Sequence, residues 1–183
     1  GGESLWSQLL MRAVTGSDAA DHLTIQPLHY DLITWEEWTR LHPDTLVLNR
    51  DMSMAGRYQE ASPKPYFEVQ NELRFPVSPK PTISKALPLK TPIVVVQTPT
   101  SRRLYTLRYL ANKARESQSA SRTWTDAIGD DEIHFQIVGA RDDVSVVVTS
   151  PTVDSSKLLV THVFWFAWHA MNPDDSLVDL QSE

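Results

Sequence analysis

The chain has 183 residues, 41% hydrophobic and 22% charged, which is typical of a globular protein with one or two small domains. A formal net charge of −6 disfavours a general nucleic-acid binder or a binder of anionic membranes, since both need a basic face. The chain contains no cysteine, which excludes disulfides, thiolate metal ligands and cysteine nucleophiles from it.

The longest apolar run extends from Leu158 to Trp168 and is too short to cross a bilayer, so it predicts a buried core element and no transmembrane segment. The amino terminus lacks the basic and apolar regions of a signal peptide. We therefore expect either a cytoplasmic protein or a chain from which an upstream segment was removed by processing or cloning.

Two segments near the amino terminus have the apolar pattern and length of β-strands. They cover residues 4–10 and 22–28, and the sequence TGSDAAD between them is typical of a turn. We expect two short strands there.

The stretch TWEEWTRLHPD, residues 34–44, has the pattern of a short helix. Trp35 and Trp38 are three residues apart and share a helical face, which Leu41 extends at the next such step. This spacing favours packing of the two indoles on a sheet over exposure in a ligand groove.

Both ends of this helix carry termination signals. Thr34 is placed to cap the first turn, and Glu37 completes a capping box with it. Pro43 ends the helix near His42, because proline disfavours the helical conformation in the residue before it. A short strand is expected at residues 46–49.

The pattern W-x-x-W-x-x-x-x-P-D occurs a second time, 130 positions later, in FWFAWHAMNPD. The matched residues are Trp35, Trp38, Pro43 and Asp44 in the first copy and Trp165, Trp168, Pro173 and Asp174 in the second. Phe164 stands where Thr34 stood, and Thr161 is placed to cap a helix one turn earlier. Coincidence is the alternative, but four residues in register favour duplication of a structural unit.

Residues 51–91 are polar and rich in proline, with one strand-like piece at 66–77. We expect a long connector that wraps the surface. The predicted organisation is therefore a first repeat in residues 1–50, a connector in 51–91 and a second, shortened repeat in 92–183.

The second half has the composition of a β-rich region. Residues 92–98 and 102–110 have strand patterns, 118–132 is predicted to be a loop, and 132–150 is predicted to be a hairpin turning near Gly139 to Asp143. Strands followed by one helix indicate a β-rich α+β fold, built from a duplicated unit of antiparallel strands plus one W-x-x-W helix.

Four stretches together resemble a known family, the mostly bacterial and archaeal domain of unknown function 3179. They are ESLWSQL, TWEEWTRLHPDTLVL, YFEVQNELRFPV and VFWFAWHAMNPDD, and they follow the family order over nearly the whole chain, most weakly across 80–130. The family has no assigned reaction, so the resemblance implies architecture and an extracytoplasmic location but no mechanism.

The resemblance also implies an internal duplication and an upstream half-repeat with a cysteine-containing C-P-x-C-like motif. Residues 123–148 resemble the region around that motif but contain no cysteine, which puts a metal or redox role in doubt. We expect the chain to be one product of a cleaved or split gene. A second protein chain would then cover the edges of its first strands.

Each candidate site also has a structural explanation. The tryptophans Trp6, Trp35, Trp38, Trp165 and Trp168 are the residue type of a carbohydrate groove, but helical spacing favours core packing. The pair His162 and His169 is seven residues apart and has no zinc-site spacing. The HPD turn at residues 42–44 and the acidic pairs are explained as turns, and Ser7 lacks the context of a nucleophile elbow.

A basic stretch is the most suggestive surface feature on an acidic chain. A docking surface for an acidic partner and a solvated strand face are the two interpretations of its residues, which are Arg102, Arg103, Arg108, Lys113 and Arg115.

These observations favour a non-enzymatic structural or binding subunit of a larger assembly, with no predicted catalytic residue, metal or cofactor. One alternative is an enzyme or redox unit completed at a junction with a partner, near Trp6, Ser7 and Gln8. A second alternative is a carbohydrate-binding module.

Overall fold

Two antiparallel three-stranded sheets organise the carboxy-terminal half of the chain. The computed structural model describes residues 3–7, 10–26, 28–47, 69–74, 76–82, 87–117, 121–140 and 143–178. The strands are β1 (Trp6–Ser7), β2 (Arg12–Ala13), β3 (Pro92–Gln97), β4 (Arg102–Thr106), β5 (Thr123–Ile128), β6 (Asp131–Ala140), β7 (Asp143–Thr149) and β8 (Leu159–Phe164). The helices are α1 (Ser17–Ala20), α2 (Trp35–Leu41), α3 (Leu107–Glu116) and α4 (Trp165–Met171). The predicted β-rich α+β class is confirmed.

Strand β3 is the centre of the first sheet, whose order is β4-β3-β8. Its sequence PIVVVQ is a β-branched run, and such runs are typical of strands covered on both faces. Val95 lies opposite Leu104 of β4 and Thr161 of β8, and both pairings are antiparallel. The strand predicted at 92–98 is confirmed.

The second sheet has the order β5-β6-β7. The hairpin predicted for 132–150 is confirmed, with Ile137 opposite Val146. The loop predicted for 118–132 is wrong over β5, which pairs with β6. In β5 the exposed and more buried positions alternate, with Trp124 and Asp126 on the more buried side. Such alternation is typical of a strand, but the polar composition of this stretch concealed the strand in the sequence.

Helix α3 replaces half of the strand predicted for 102–110. The strand ends at Thr106, whose Oγ1 accepts a hydrogen bond from the Tyr109 N–H at 3.1 Å and caps the helix. Leu110 and Ala114, one helical turn apart, are the residues that α3 buries. A short segment of alternating apolar residues fits both the two-residue repeat of a strand and the 3.6-residue repeat of a helix. The sequence pattern therefore did not distinguish a strand from a helix.

Two hydrophobic cores lie on opposite sides of β3. Val94 and Val96 enter the first core, between the two sheets and α3. Ile93 and Val95 enter the second core, beneath α4. Successive strand residues point to opposite faces, so one strand supplies both cores.

The carboxy-terminal helix α4 begins directly where β8 ends. Phe164 is its N-cap residue and makes no side-chain capping bond. The predicted earlier cap at Thr161 is wrong, because Thr161 lies within β8 and pairs with Val95. Main-chain bonds hold the start of the helix, since the N–H groups of Trp165 and Phe166 donate to the carbonyls of Thr91 and Leu89.

Residues 3–47 contain little regular structure. Strands β1 and β2 are two residues each, with Trp6 opposite Ala13. The strand predicted at 22–28 is wrong over its described residues, where only an isolated bridge between Thr24 and Arg12 forms. Residues 46–47 of the predicted strand 46–49 are not in a strand, and residues 48–49 lie outside the described residues.

The described parts of the connector, 69–74, 76–82 and 87–91, contain no helix or strand. The last of these nonetheless enters the interior. Lys90 is buried, its Nζ donates to the carbonyl of Val69 at 2.7 Å, and the Leu89 N–H donates to Asn71 Oδ1 at 3.0 Å. The predicted domain boundaries remain a prediction.

The first core yields a stability prediction. Phe135 is fully buried, and its ring lies 5.0 Å from those of Tyr105 and Trp124. Phe135→Ala should lower the free energy of unfolding by about 3–5 kcal/mol, because it leaves a cavity between the sheets. Urea denaturation measures the change. The exposed control Leu28→Ala should change it by less than about 0.5 kcal/mol. Equal effects would contradict the assigned core.

Candidate interaction surface

Helix α2 is capped as its sequence predicts. Thr34 Oγ1 accepts a hydrogen bond from the Glu37 N–H at 3.3 Å, and His42 follows the last helical residue as C-cap. The Glu37 carboxylate pairs with Arg40 at 2.8 Å. The His42 ring lies 4.2 Å from that of Trp38. The helix is therefore defined by its own local contacts.

Helix α4 has the same local geometry. Both helices have seven residues, and their C-cap residues His42 and Asn172 have nearly equal torsions, with φ of −132° and −137° and ψ of 69° and 68°. In each, the indole N–H of the second tryptophan donates to the side chain seven residues later. Trp38 donates to Thr45 Oγ1 at 2.8 Å and Trp168 to Asp175 Oδ2 at 2.9 Å.

The main chain after each helix is also bonded alike. The His42 N–H donates to the Trp38 carbonyl at 2.8 Å, and the Asn172 N–H to the Trp168 carbonyl at 2.9 Å. The next turn repeats this equivalence, with bonds of 3.1 Å from Thr45 to His42 and 3.2 Å from Asp175 to Asn172. The matched sequence pattern is therefore a matched structural motif.

The two helices differ in what covers them. Trp165 and Trp168 are 5% and 4% exposed, whereas Trp35 and Trp38 are 59% and 40% exposed. The prediction that the tryptophans anchor their helix on a sheet is confirmed for α4. It is wrong for α2 within the described residues, because α2 buries no residue.

The cover of α4 is the hairpin of β3 and β4. Its aliphatic residues Ile93, Val95 and Leu104 form one core with the two indoles and Leu177. Arg102 of β4 donates to Asp175 at 2.7 Å, and Asp175 in turn accepts from Trp168. An apolar strand pair and one ion pair thus close over this helix.

The exposed apolar side chains are concentrated in residues 3–47. Among the described residues, thirteen of the fifteen large hydrophobic side chains that are exposed lie in this segment. They are Leu5, Trp6, Leu10, Val14, Leu23, Leu28, Tyr30, Leu32, Trp35, Trp38, Leu41, Leu46 and Val47. Single exposed apolar residues are ordinary, but such a concentration marks a candidate interaction region.

Segment 28–34 lies against the outer edge of β8. His29 Nδ1 is 3.3 Å from the Leu158 carbonyl, and the His162 N–H is 3.5 Å from the Tyr30 hydroxyl. A cavity of about 220 Å³ lies beside this contact, and its lining includes Leu32, Val144 and His162. The contact holds the amino-terminal part against the first sheet.

His162 has an unusual environment. Its Nε2 is buried and has no hydrogen-bond partner in the part of the chain that the structure describes. Burial lowers the pKa of His162 below its ordinary value, and the Asp31 carboxylate partly opposes this effect. The neutral imidazole is the favoured form.

Most residues of the predicted basic docking surface have partners within the chain. Arg102 pairs with Asp175, Arg103 pairs with Asp126 at 2.9 Å, and Lys113 pairs with Glu116 at 2.8 Å. Arg115 donates to Asn112, and Arg108 is exposed on α3. The arginines at the start of β4 connect structural elements, which the sequence alone did not indicate.

Asp126 connects the two sheets. Its Oδ2 accepts hydrogen bonds from Arg103 at 2.9 Å and from the Tyr105 hydroxyl at 2.8 Å, and its Oδ1 accepts from the Ala127 N–H. Burial raises the pKa of Tyr105 above its ordinary value, and the bond to Asp126 raises it further. Tyr105 is therefore a hydrogen-bond donor.

Trp6 and Ser7, two of the three predicted junction residues, lie at the exposed hairpin of β1 and β2. Trp6 is exposed, and Ser7 Oγ accepts from the Leu10 N–H at 3.1 Å, as in a turn. Gln8 lies outside the described residues. The described residues include no group of three His, Asp or Glu placed to hold a metal. Pro43, Asp44, Pro173 and Asp174 are exposed in the two matched turns.

The geometry defines a class: a β-rich α+β protein with one covered and one uncovered copy of a W-x-x-W helix. The chain belongs to the family described as "Protein of unknown function (DUF3179)", whose profile matches residues 1–175. No curated protein and no solved structure matches the chain. None of the described helices has the length and apolar character needed to span a membrane.

The Asp126 network yields a second prediction. Asp126→Asn should lower the free energy of unfolding by about 1–3 kcal/mol, because an uncharged amide loses the ion pair with Arg103 and its NH₂ group cannot accept the Ala127 N–H bond. The control Asp130→Asn, in the exposed turn before β6, should have little effect. Chemical denaturation of both variants checks this. An Asp126→Asn variant as stable as the unsubstituted chain would contradict the assigned link between the sheets.

The burial of His162 yields a pH prediction. Its pKa is lowered in the folded state, so the unfolded chain binds more protons below pH of about 6.5. This contribution to stability is present above that pH and is lost as the pH falls toward the folded-state pKa. His162→Phe should weaken the decline in unfolding free energy between pH 7.5 and 5.5. The exposed control His22→Asn should retain it, and an unchanged decline in His162→Phe would refute the assignment.

Proposed function

We propose that this member of the DUF3179 family is a non-enzymatic structural or binding subunit of a larger, extracytoplasmic assembly. The observation that carries the proposal is the contrast in burial between two helices of the same geometry, α2 and α4. The extracytoplasmic location is supported only by the family resemblance. The assembly would supply for α2 the cover that the chain supplies for α4.

The exposed residues are of the type that stabilises protein interfaces. An indole buries on the order of 150–250 Å² of surface, and tryptophan is enriched among residues that dominate binding energy. Trp35 lies on a helix held in place by its own cap and turn. A preformed anchor of this kind loses little conformational entropy on binding.

Two other functions remain as alternatives. An enzyme or redox unit completed by a partner would have its junction near Trp6, Ser7 and Gln8. A carbohydrate-binding module is favoured by the exposure of Trp6, Trp35 and Trp38, although the His42 ring lies against Trp38. A change in tryptophan fluorescence on addition of glycans would favour the second alternative.

Native mass spectrometry of the assembly, isolated from the source of the protein through a tagged chain, tests the proposal. We expect a complex with at least one further protein and crosslinks from that protein to residues 28–47. Trp35→Glu should release the partner, because a buried unpaired carboxylate opposes association. The matched control Met171→Glu, on the exposed side of α4, should retain it. A stable monomer in the source would refute the proposed function.

A further inference from the structure

The covered copy of the motif shows what kind of surface the uncovered copy fits. The two copies are related by a shift of 130 residues, with the same helix length, the same C-cap torsions and the same main-chain bonds in the turn after the helix. Positions 35, 38 and 47 therefore correspond to 165, 168 and 177. The contacts of the second set identify the chemistry of a cover for the first.

The exposed positions in α2 are those that the hairpin covers in α4. Val47 is 66% exposed, whereas its counterpart Leu177 is fully buried beside β4. Leu41 and its counterpart Met171 are 42% and 50% exposed, so this position is uncovered in both copies. The largest differences between the copies thus lie on the face that β3 and β4 occupy, and general exposure of a short helix does not explain them.

The main chain before α2 is available for strand pairing. Residues 159–164 form β8 and pair along their length with β3. The corresponding residues are 29–34. Residues 29–33 make no main-chain hydrogen bond to any described residue. An antiparallel strand added there would satisfy these groups, which is the basis of β-augmentation.

The charges around α2 indicate which charges the partner should carry at the edge of the interface. The carboxylates of residues 28–47 form the acidic rim of this surface. Residues 28–47 contain four carboxylates and one arginine, and that arginine, Arg40, is already paired with Glu37. The hairpin that covers α4 has Arg102 and Arg103 next to Leu104. An acidic rim favours a strand that likewise carries basic residues beside its aliphatic ones.

A second copy of this chain does not offer the required face. Ile93, Val95 and Leu104 of any copy are already buried against that copy's own α4. The described part of a second copy therefore does not supply the complementary surface, and we assign that surface to a different polypeptide.

We propose, on the basis of the proposed function, that residues 29–47 bind one β-hairpin of a partner protein. One hairpin strand pairs antiparallel with residues 29–33. The hairpin places branched aliphatic side chains over Trp35, Trp38 and Val47, and its basic residues face the acidic rim. The partner thereby repeats the arrangement of β3 and β4 over α4.

The chain itself provides the probe. A synthetic peptide with the sequence of residues 92–106 is closed into a hairpin by a disulfide between cysteines added at its ends. Val94 and Val96 are replaced by threonine, because they face the first core and would be exposed in a free hairpin. The control peptide has three further threonines, at positions 93, 95 and 104. The two peptides differ only in the face proposed to bind.

Binding to the full chain is measured by calorimetry and by hydrogen exchange. The probe should bind and slow the exchange of amides 29–33 at least tenfold, and the control peptide should bind roughly tenfold more weakly or not at all. Protection located elsewhere, or equal binding of the two peptides, would overturn the hairpin proposal.

Matched variants of the chain test the face. Trp35→Ala should weaken probe binding roughly tenfold or more, whereas Leu41→Ala, on the same helix, should change it less than about twofold. Circular dichroism checks that both variants are folded. If a variant fails to fold, hydrogen exchange of the unsubstituted chain with the probe still tests the proposal. Equal effects of the two substitutions would contradict the assignment.

Mass spectrometry and crosslinking of the native assembly distinguish failure of this inference from failure of the proposed function. A partner that crosslinks to residues 28–47, and that the probe peptide does not displace, leaves the proposed function standing and overturns the hairpin. A complex made of two copies of this chain overturns the assignment to a different polypeptide. Absence of any complex overturns both.

Discussion

The double use of strand β3 is the constraint on which the described fold depends. One strand of six residues separates two cores, with Val94 and Val96 on one side and Ile93 and Val95 on the other. The alternation of a strand makes this possible, and the branched residues fill both sides. The sheet that holds the second core is therefore fixed by the packing of the first.

The contrast between α2 and α4 follows from this arrangement. Local contacts define the carboxy-terminal ends of both helices, since both end in the same turn with the same bonds. They do not bury the indoles, because burial needs a second surface of suitable shape and chemistry. α4 has that surface in β3 and β4, where Asp175 and Arg102 complete the closure. The same local motif is thus buried at one place in the chain and exposed at the other.

Polar residues at the borders of the cores add specificity. Asp126 joins the strand that carries Arg103 and Tyr105 to the second sheet, and it does so with two hydrogen bonds. His162 occupies the edge where segment 28–34 meets β8, with a buried nitrogen that lacks a described partner. These residues fix how the elements meet, and none belongs to a sequence motif. Their partners are distant along the chain, so no local pattern identified them.

The sequence by itself determined the local units: the caps and ends of α2, the strand β3, the hairpin of β6 and β7, and the repeated W-x-x-W motif. Each depends on neighbouring residues, whose spacing carries the signal. Only the tertiary structure decided that 107–116 is a helix, that β5 is a strand and that Trp165 is buried while Trp35 is exposed. Short alternating segments fit the repeat of a strand and that of a helix, so tertiary packing decides between them. Burial depends on residues far apart in the chain, so packing also decides which tryptophans are covered.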